Sequence, residues 1–143
     1  MFNGTFPIRC ALILSVLLVC LNAPALAQDQ TLEHSFKGKT GQNIRIGVFF
    51  SMRADCKSGP LPTIRLKVPP VHGNVTVKQG KLRTTNLRQC LAAEVPAFIV
   101  FYKSKPEFSG SDVVTLEVVN PSGKTQLQKI TVTVDAIPGG QKI

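Results

Sequence analysis

The chain has 143 residues, 43% of them hydrophobic, and 17 Lys and Arg against 8 Asp and Glu give it a net charge of +9. That apolar share excludes global disorder, and the length fits one domain. With no Trp, one Tyr and two His, a large aromatic platform is excluded and a multi-ligand metal centre is hard to build.

Residues 1–27 read as a secretory signal peptide. Arg9 supplies the positive start, and the run from Cys10 to Leu21 carries no charge. It is too short for a spanning helix, which needs about 20 residues. Ala25 and Ala27 place small residues at −3 and −1, so cleavage is expected before Gln28. An uncleaved anchor helix is the alternative. Lipidation at Cys20 is disfavoured because Val19, a β-branched residue, stands where a small one is required. The expected product is secreted or periplasmic and has no transmembrane segment. It comprises a domain over residues 28–136 and a flexible tail over 137–143.

Signal removal takes Cys10 and Cys20 with it and leaves Cys56 and Cys90, 34 residues apart. An even count in an exported chain favours a disulfide, with two free buried thiols as the alternative. A catalytic redox pair is typically spaced C-x-x-C, and zinc would need two further good ligands where only His34 and His72 exist.

The elements follow in chain order. Leu32–Phe36 is a short first strand, and residues 44–50 (IRIGVFF) alternate before becoming wholly apolar. Arg53–Leu61 is a loop. In Thr63–Val68, Ile64, Leu66 and Val68 share one face while Arg65 and Lys67 share the other; Pro69 and Pro70 then end the strand. Asn74–Lys78 is a strand, Gln79-Gly80 a tight turn, and Lys81–Thr84 the next strand. Residues 85–96 are irregular, with room for one helical turn over Leu87–Val95. Ala97–Tyr102 (AFIVFY) is the most apolar run after the signal and is expected to be a central strand. Val113–Val119 leads to a turn at Asn120-Pro121-Ser122-Gly123, and Gln126–Val134 alternates to the end. About seven short strands with regular turns predict an all-β, antiparallel β-sandwich.

From Val68 onward the chain resembles a bacterial immunoglobulin-like or cadherin-like repeat module. The matching residues are Pro70-Val71-His72-Gly73-Asn74-Val75, Phe101-Tyr102 with Pro106, and the F-x-G-x-D corner of Phe108, Gly110 and Asp112. Leu116-Glu117-Val118, Pro121-Ser122-Gly123 and Ile130–Val134 follow. The resemblance covers residues 68–134 and implies an immunoglobulin-like sandwich used for adhesion, spacing or ligand binding, with no shared chemistry. Such modules commonly occur in tandem, and here there is one copy. Calcium-binding members use several carboxylates. This corner has Glu107 and Asp112, with Asn120 where an acid often stands, too few oxygens for Ca²⁺. No cofactor is expected. His72, Gly73, Phe108, Gly110 and Asp112 are read as turn and corner residues; Asp112 can accept from nearby amides, and Gly110 admits a backbone angle closed to other residues.

Catalytic signatures fail. Gly38-Lys39-Thr40 and Gly123-Lys124-Thr125 lack the upstream glycine of a phosphate loop, and neither G-x-S-x-G nor H-E-x-x-H occurs. Asn74-Val75-Thr76 is a formal glycosylation sequon whose use a bacterial-looking export context disfavours. Since Arg9 is the only cation lost with the signal, the exported chain carries +8. Arg65, Lys67, Lys78, Lys81 and Arg83 form a candidate basic patch for an anionic envelope polymer or protein, against the alternative of a solvated sheet face. Nucleic acid is disfavoured for want of interleaved aromatics. The expected function is a non-enzymatic binding or scaffolding module of the cell envelope. A basic binder of anionic polymers and a small secreted enzyme or enzyme inhibitor are the alternatives.

Overall fold

The computed structural model describes residues 30–87 and 90–138. Seven strands run through them: β1 (Gln30–Lys39), β2 (Asn43–Phe49), β3 (Thr63–Val68), β4 (Gly73–Leu87), β5 (Cys90–Ser104), β6 (Gly110–Val119) and β7 (Thr125–Asp135). The expected signal segment and residues 139–143 of the expected tail lie outside the described residues. A four-stranded sheet, in the order β1-β7-β6-β3, faces a three-stranded sheet in the order β2-β5-β4. The chain is an all-β sandwich, as its alternation predicts.

One core joins the layers. Val114, Leu116 and Val118 of β6 and Ile130, Val132 and Val134 of β7 face Ile44, Ile46 and Phe49 of β2 and Val100 and Tyr102 of β5. Period-two alternation puts each set on one side of its strand. Full burial of each such aliphatic side chain contributes about 1.5–3 kcal/mol. Leu116 lies opposite Gln128 and Val114 opposite Ile130, so the β6–β7 register keeps both apolar rows on the inner face.

Three expectations are corrected. The sandwich is not wholly antiparallel: β1 runs parallel to β7, with His34 opposite Ile130 and Phe36 opposite Val132. Alternation specifies which face is buried but not strand direction, so the sequence pattern could not show this. Second, Gln79-Gly80 makes no turn. Gly80 sits opposite Ala97 in a ladder that continues from Gly73 and Ser104 to Leu87 and Cys90. Glycine permits a turn without requiring one, and continuous pairing with β5 decides otherwise. Third, the stretch 85–96 is neither irregular nor helical where described, because Cys90–Val95 belongs to β5. Pro96 is tolerated in this strand because β2 pairs with β5 only from Phe98 onward. The proline therefore leaves no ladder bond unmade on that side.

Gly73 opens β4 where the chain passes close to the core. A methyl group there would come within 2.5 Å of the Tyr102 ring and 2.7 Å of the Lys103 carbonyl oxygen. The carbonyl belongs to a paired strand and cannot swing aside. Gly73→Ala is therefore expected to destabilise the domain by about 1–3 kcal/mol, measured by urea unfolding. A variant as stable as the parent would show that the two strands separate freely here.

Candidate functional site

The densest polar constellation lies at the corner between β5 and β6. Asp112, second residue after the Gly110 start of β6, is buried. Its Oδ1 accepts the amides of Val71 and Val113, both at 3.0 Å. Its Oδ2 accepts the His72 amide at 2.8 Å and the Tyr102 hydroxyl at 3.0 Å. Four donors fill the acceptor capacity of a carboxylate. One side chain thereby ties β6 to the β3–β4 connection and to β5. Burial by itself would raise the Asp112 carboxyl. The amides of His72 and Val71, the Tyr102 hydroxyl and the Val113 amide outweigh it and hold the group below its ordinary value. Burial, and then the hydrogen bond to Asp112, pushes the Tyr102 phenol far above its usual range.

The other corner residues pack around this clamp. His72 stacks on Phe108 with ring centroids 4.3 Å apart and planes 8° from parallel. The Lys105 amide donates to the His72 carbonyl at 2.8 Å, and Lys105 Nζ donates to the Val71 carbonyl at 2.9 Å. Thr40 Oγ1 donates to the Phe108 carbonyl at 2.8 Å, joining the β1–β2 turn to the corner. Gly110 has φ of 132°, a conformation that only glycine adopts without strain. Glu107 takes the left-handed conformation, with φ of 64°.

The candidate basic patch is not one patch. Arg65 and Lys67 lie on β3, the edge of the four-stranded sheet; Lys78, Lys81 and Arg83 lie on β4, the edge of the three-stranded sheet. Arg65 and Lys67 surround one carboxylate, and Lys81 and Arg83 another. Glu117 Oε1 is 3.8 Å from Arg65, and its Oε2 is 3.1 Å from Lys67 Nζ. That Oε2 is buried and has no well-directed hydrogen bond, so the Lys67 ammonium is its counter-charge. Glu94 lies 3.1 Å from Lys81 and 3.3 Å from Arg83, whose hydrogen bonds lower its carboxyl. Lys78 Nζ stands 5.8 Å from the centre of the Phe101 ring.

The sequence reading missed both carboxylates and the part played by Tyr102. Glu94 and Glu117 become visible as partners only once the register places Arg83 opposite Glu94 and Arg65 opposite Glu117. Opposite charges across a ladder leave no local trace in the sequence.

Cys56 and Cys90 form a disulfide with Cα atoms 5.5 Å apart. It joins the β2–β3 loop to the start of β5. Cys56 closes a turn in which its amide donates to the Arg53 carbonyl at 3.0 Å, and its φ is 62°. An isolated bridge between Met52 and Ser58 braces the same loop.

An open depression of about 260 Å³ is lined by His34, Phe36, Ile46, Gly47, Val48, Phe49 and Gln128, with no carboxylate among them. Another, of about 430 Å³, lies along Arg83–Thr85 and Ala92–Glu94. Among the described residues no three His, Cys, Asp or Glu side chains are grouped to hold a metal ion, and no helix is long and apolar enough to cross a membrane. No family model, curated protein or solved structure matches the chain.

Proposed function

We propose that this chain is an exported, non-enzymatic sandwich module of immunoglobulin-like type that binds or scaffolds components of the cell envelope. The observation that carries the reading is the division of the strands. β2, β5 and β4 form one layer, and β3, β6 and β7 the other. This is the partition of a seven-stranded immunoglobulin-type sandwich, with the first strand beside the seventh instead of the second. The Cys56–Cys90 bridge supports an oxidising compartment. The spending of Asp112 on internal donors supports a structural use of the best-placed carboxylate.

Expression of the full chain in a Gram-negative host, followed by fractionation and N-terminal sequencing, tests the export half. The expected product is periplasmic or secreted and starts at Gln28. A cytoplasmic product that retains Met1 would overturn it. A pull-down from solubilised envelope, with the processed protein as bait, tests the binding half. A saturable, reproducible envelope component is the expected outcome; none at any ionic strength would overturn it.

A further inference from the structure

The outer face of the three-stranded sheet carries charge of one sign only. In β2 and β5 the core takes Ile44, Ile46, Phe49, Val100 and Tyr102, so the residues between them point away from it. The register shift between Arg45 and Gly47 lets Ile46 and Phe49 both face inward and leaves Arg45 and Val48 outside. Strand pairing then sets the outward positions in rows across the sheet. Asn43, Lys103 and Asn74 form one row, and Arg45, Phe101 and Thr76 the next. In the third, Val48 and Ile99 lie beside Lys78.

Arg45, Lys78 and Lys103 are exposed, and no Asp or Glu shares their face. β2 and β4 contain neither residue, and Glu94 of β5 has the parity of the inward Val100. Among the described residues none of the three cations lies within ion-pair distance of a carboxylate. The four-stranded sheet differs: there Glu117 meets Arg65 and Lys67, and Glu33 meets Lys129. The unmatched cations also surround an aromatic ring. Phe101 is half-buried in the middle of the face, with Arg45 directly across on β2 and Lys103 two residues along β5. Lys78 Nζ reaches to 5.8 Å from the ring centre. Strand spacing and rise make this area about 10 Å wide and about 14 Å long.

We propose that this face binds a polysaccharide chain bearing carboxylate groups, laid flat across β2, β5 and β4 with a sugar ring on Phe101. The cations stand on three different strands and do not converge on one point. They therefore suit charges repeated along a chain better than a single small anion. The slightly positive C–H face of a sugar packs on the negative face of the phenyl ring. The side-chain amides of Asn43 and Asn74 and the Thr76 hydroxyl, all exposed, can donate and accept, as sugar hydroxyls require. A nucleic-acid strand would call for an aromatic under each of several successive bases, and Phe101 stands alone in these rows. The next outward positions along β5, Ala97 and Val95, are 0% and 1% exposed, which confines the face to these rows. The site rests on the reading of the chain as a binding module and gives that module its ligand class.

The test uses the processed protein, labelled with ¹⁵N, and a hexamer of galacturonate. Saturable amide shifts centred on Arg45, Thr76, Lys78, Phe101 and Lys103 are expected, and a neutral hexamer of glucose should give none. Arg45→Gln and Lys103→Gln should each weaken binding about three- to tenfold and make its salt dependence shallower. Phe101→Leu should weaken it by a similar factor and leave the salt dependence unchanged. Lys81→Gln, beside Glu94 on the opposite side of β4, should bind as the parent does. Absence of saturable shifts, equal binding of the neutral hexamer, or equal or tighter binding of hexaglutamate or a thymidine decamer would each overturn the proposal. Envelope capture by the double variant Arg45→Gln, Lys103→Gln as efficient as by the parent would sink this face while leaving the module reading intact.

Discussion

Asp112→Ala is expected to cost about 3–5 kcal/mol of stability, because it removes the shared acceptor of three part-buried amides and of the buried Tyr102 hydroxyl at once. The donors belong to Val71, His72, Val113 and Tyr102, on three separate parts of the chain, so no single rotamer change satisfies them. Asp112→Asn should also be destabilising. Its amide nitrogen must face two donors on one side, whichever way it is turned. Tyr102→Phe removes one bond to a charged acceptor and should cost less, about 1.5–3 kcal/mol. Urea unfolding of the three variants checks the order.

The pH dependence has a definite sign. The folded carboxyl of Asp112 lies below the ordinary value of 3.8. The unfolded state therefore binds the proton more readily, and the group's contribution is present above that ordinary value. It is lost as the pH falls from there through the folded value. In the parent, stability should drop on acidification below about pH 4, and in Asp112→Asn this part of the acid limb should be flatter. Equal acid limbs in the two proteins would mean that Asp112 is not held as an anion by its donors.

Loss of the Cys56–Cys90 bridge is the second large effect. Releasing a loop with a sequence separation of 34 should cost about 3–4 kcal/mol through the entropy regained by the unfolded chain. The double variant Cys56→Ser, Cys90→Ser should show this loss in urea unfolding without change of fold. Amide exchange should accelerate most in the β2–β3 loop and at the start of β5, which the bond connects. Mass spectrometry of unreduced protein should find the two cysteine peptides linked. Two alkylatable thiols in that sample would refute the bridge.

Asp112 and Tyr102 show where local signals end. The F-x-G-x-D spacing marks a corner, because Gly110 and a short acceptor two residues later are turn chemistry. That the acceptor reaches across to Val71 and His72, 41 and 40 residues away, depends on how β3, β5 and β6 come together. The basic residues teach the same lesson in reverse. Their proximity along the chain pointed to a patch. Side-chain ion pairs instead join Arg65 and Lys67 to Glu117 and Lys81 and Arg83 to Glu94, on two sheets. Leu66 alternates as a core residue should, yet it is half open to solvent because β3 ends its sheet.

Residue order alone was enough for the strand class, the inward row of β7, the turn at Asn120–Gly123 and the cysteine pairing, since period-two alternation and turn chemistry act between neighbours. The parallel partner of β1, the unbroken length of β4 and β5, the four donors on Asp112 and the exposure of Leu66 and Val77 at the sheet edges were decided by tertiary structure. Each depends on which strands lie side by side. That choice is made by burying complementary faces over long sequence separations, a competition that no local window of the chain contains.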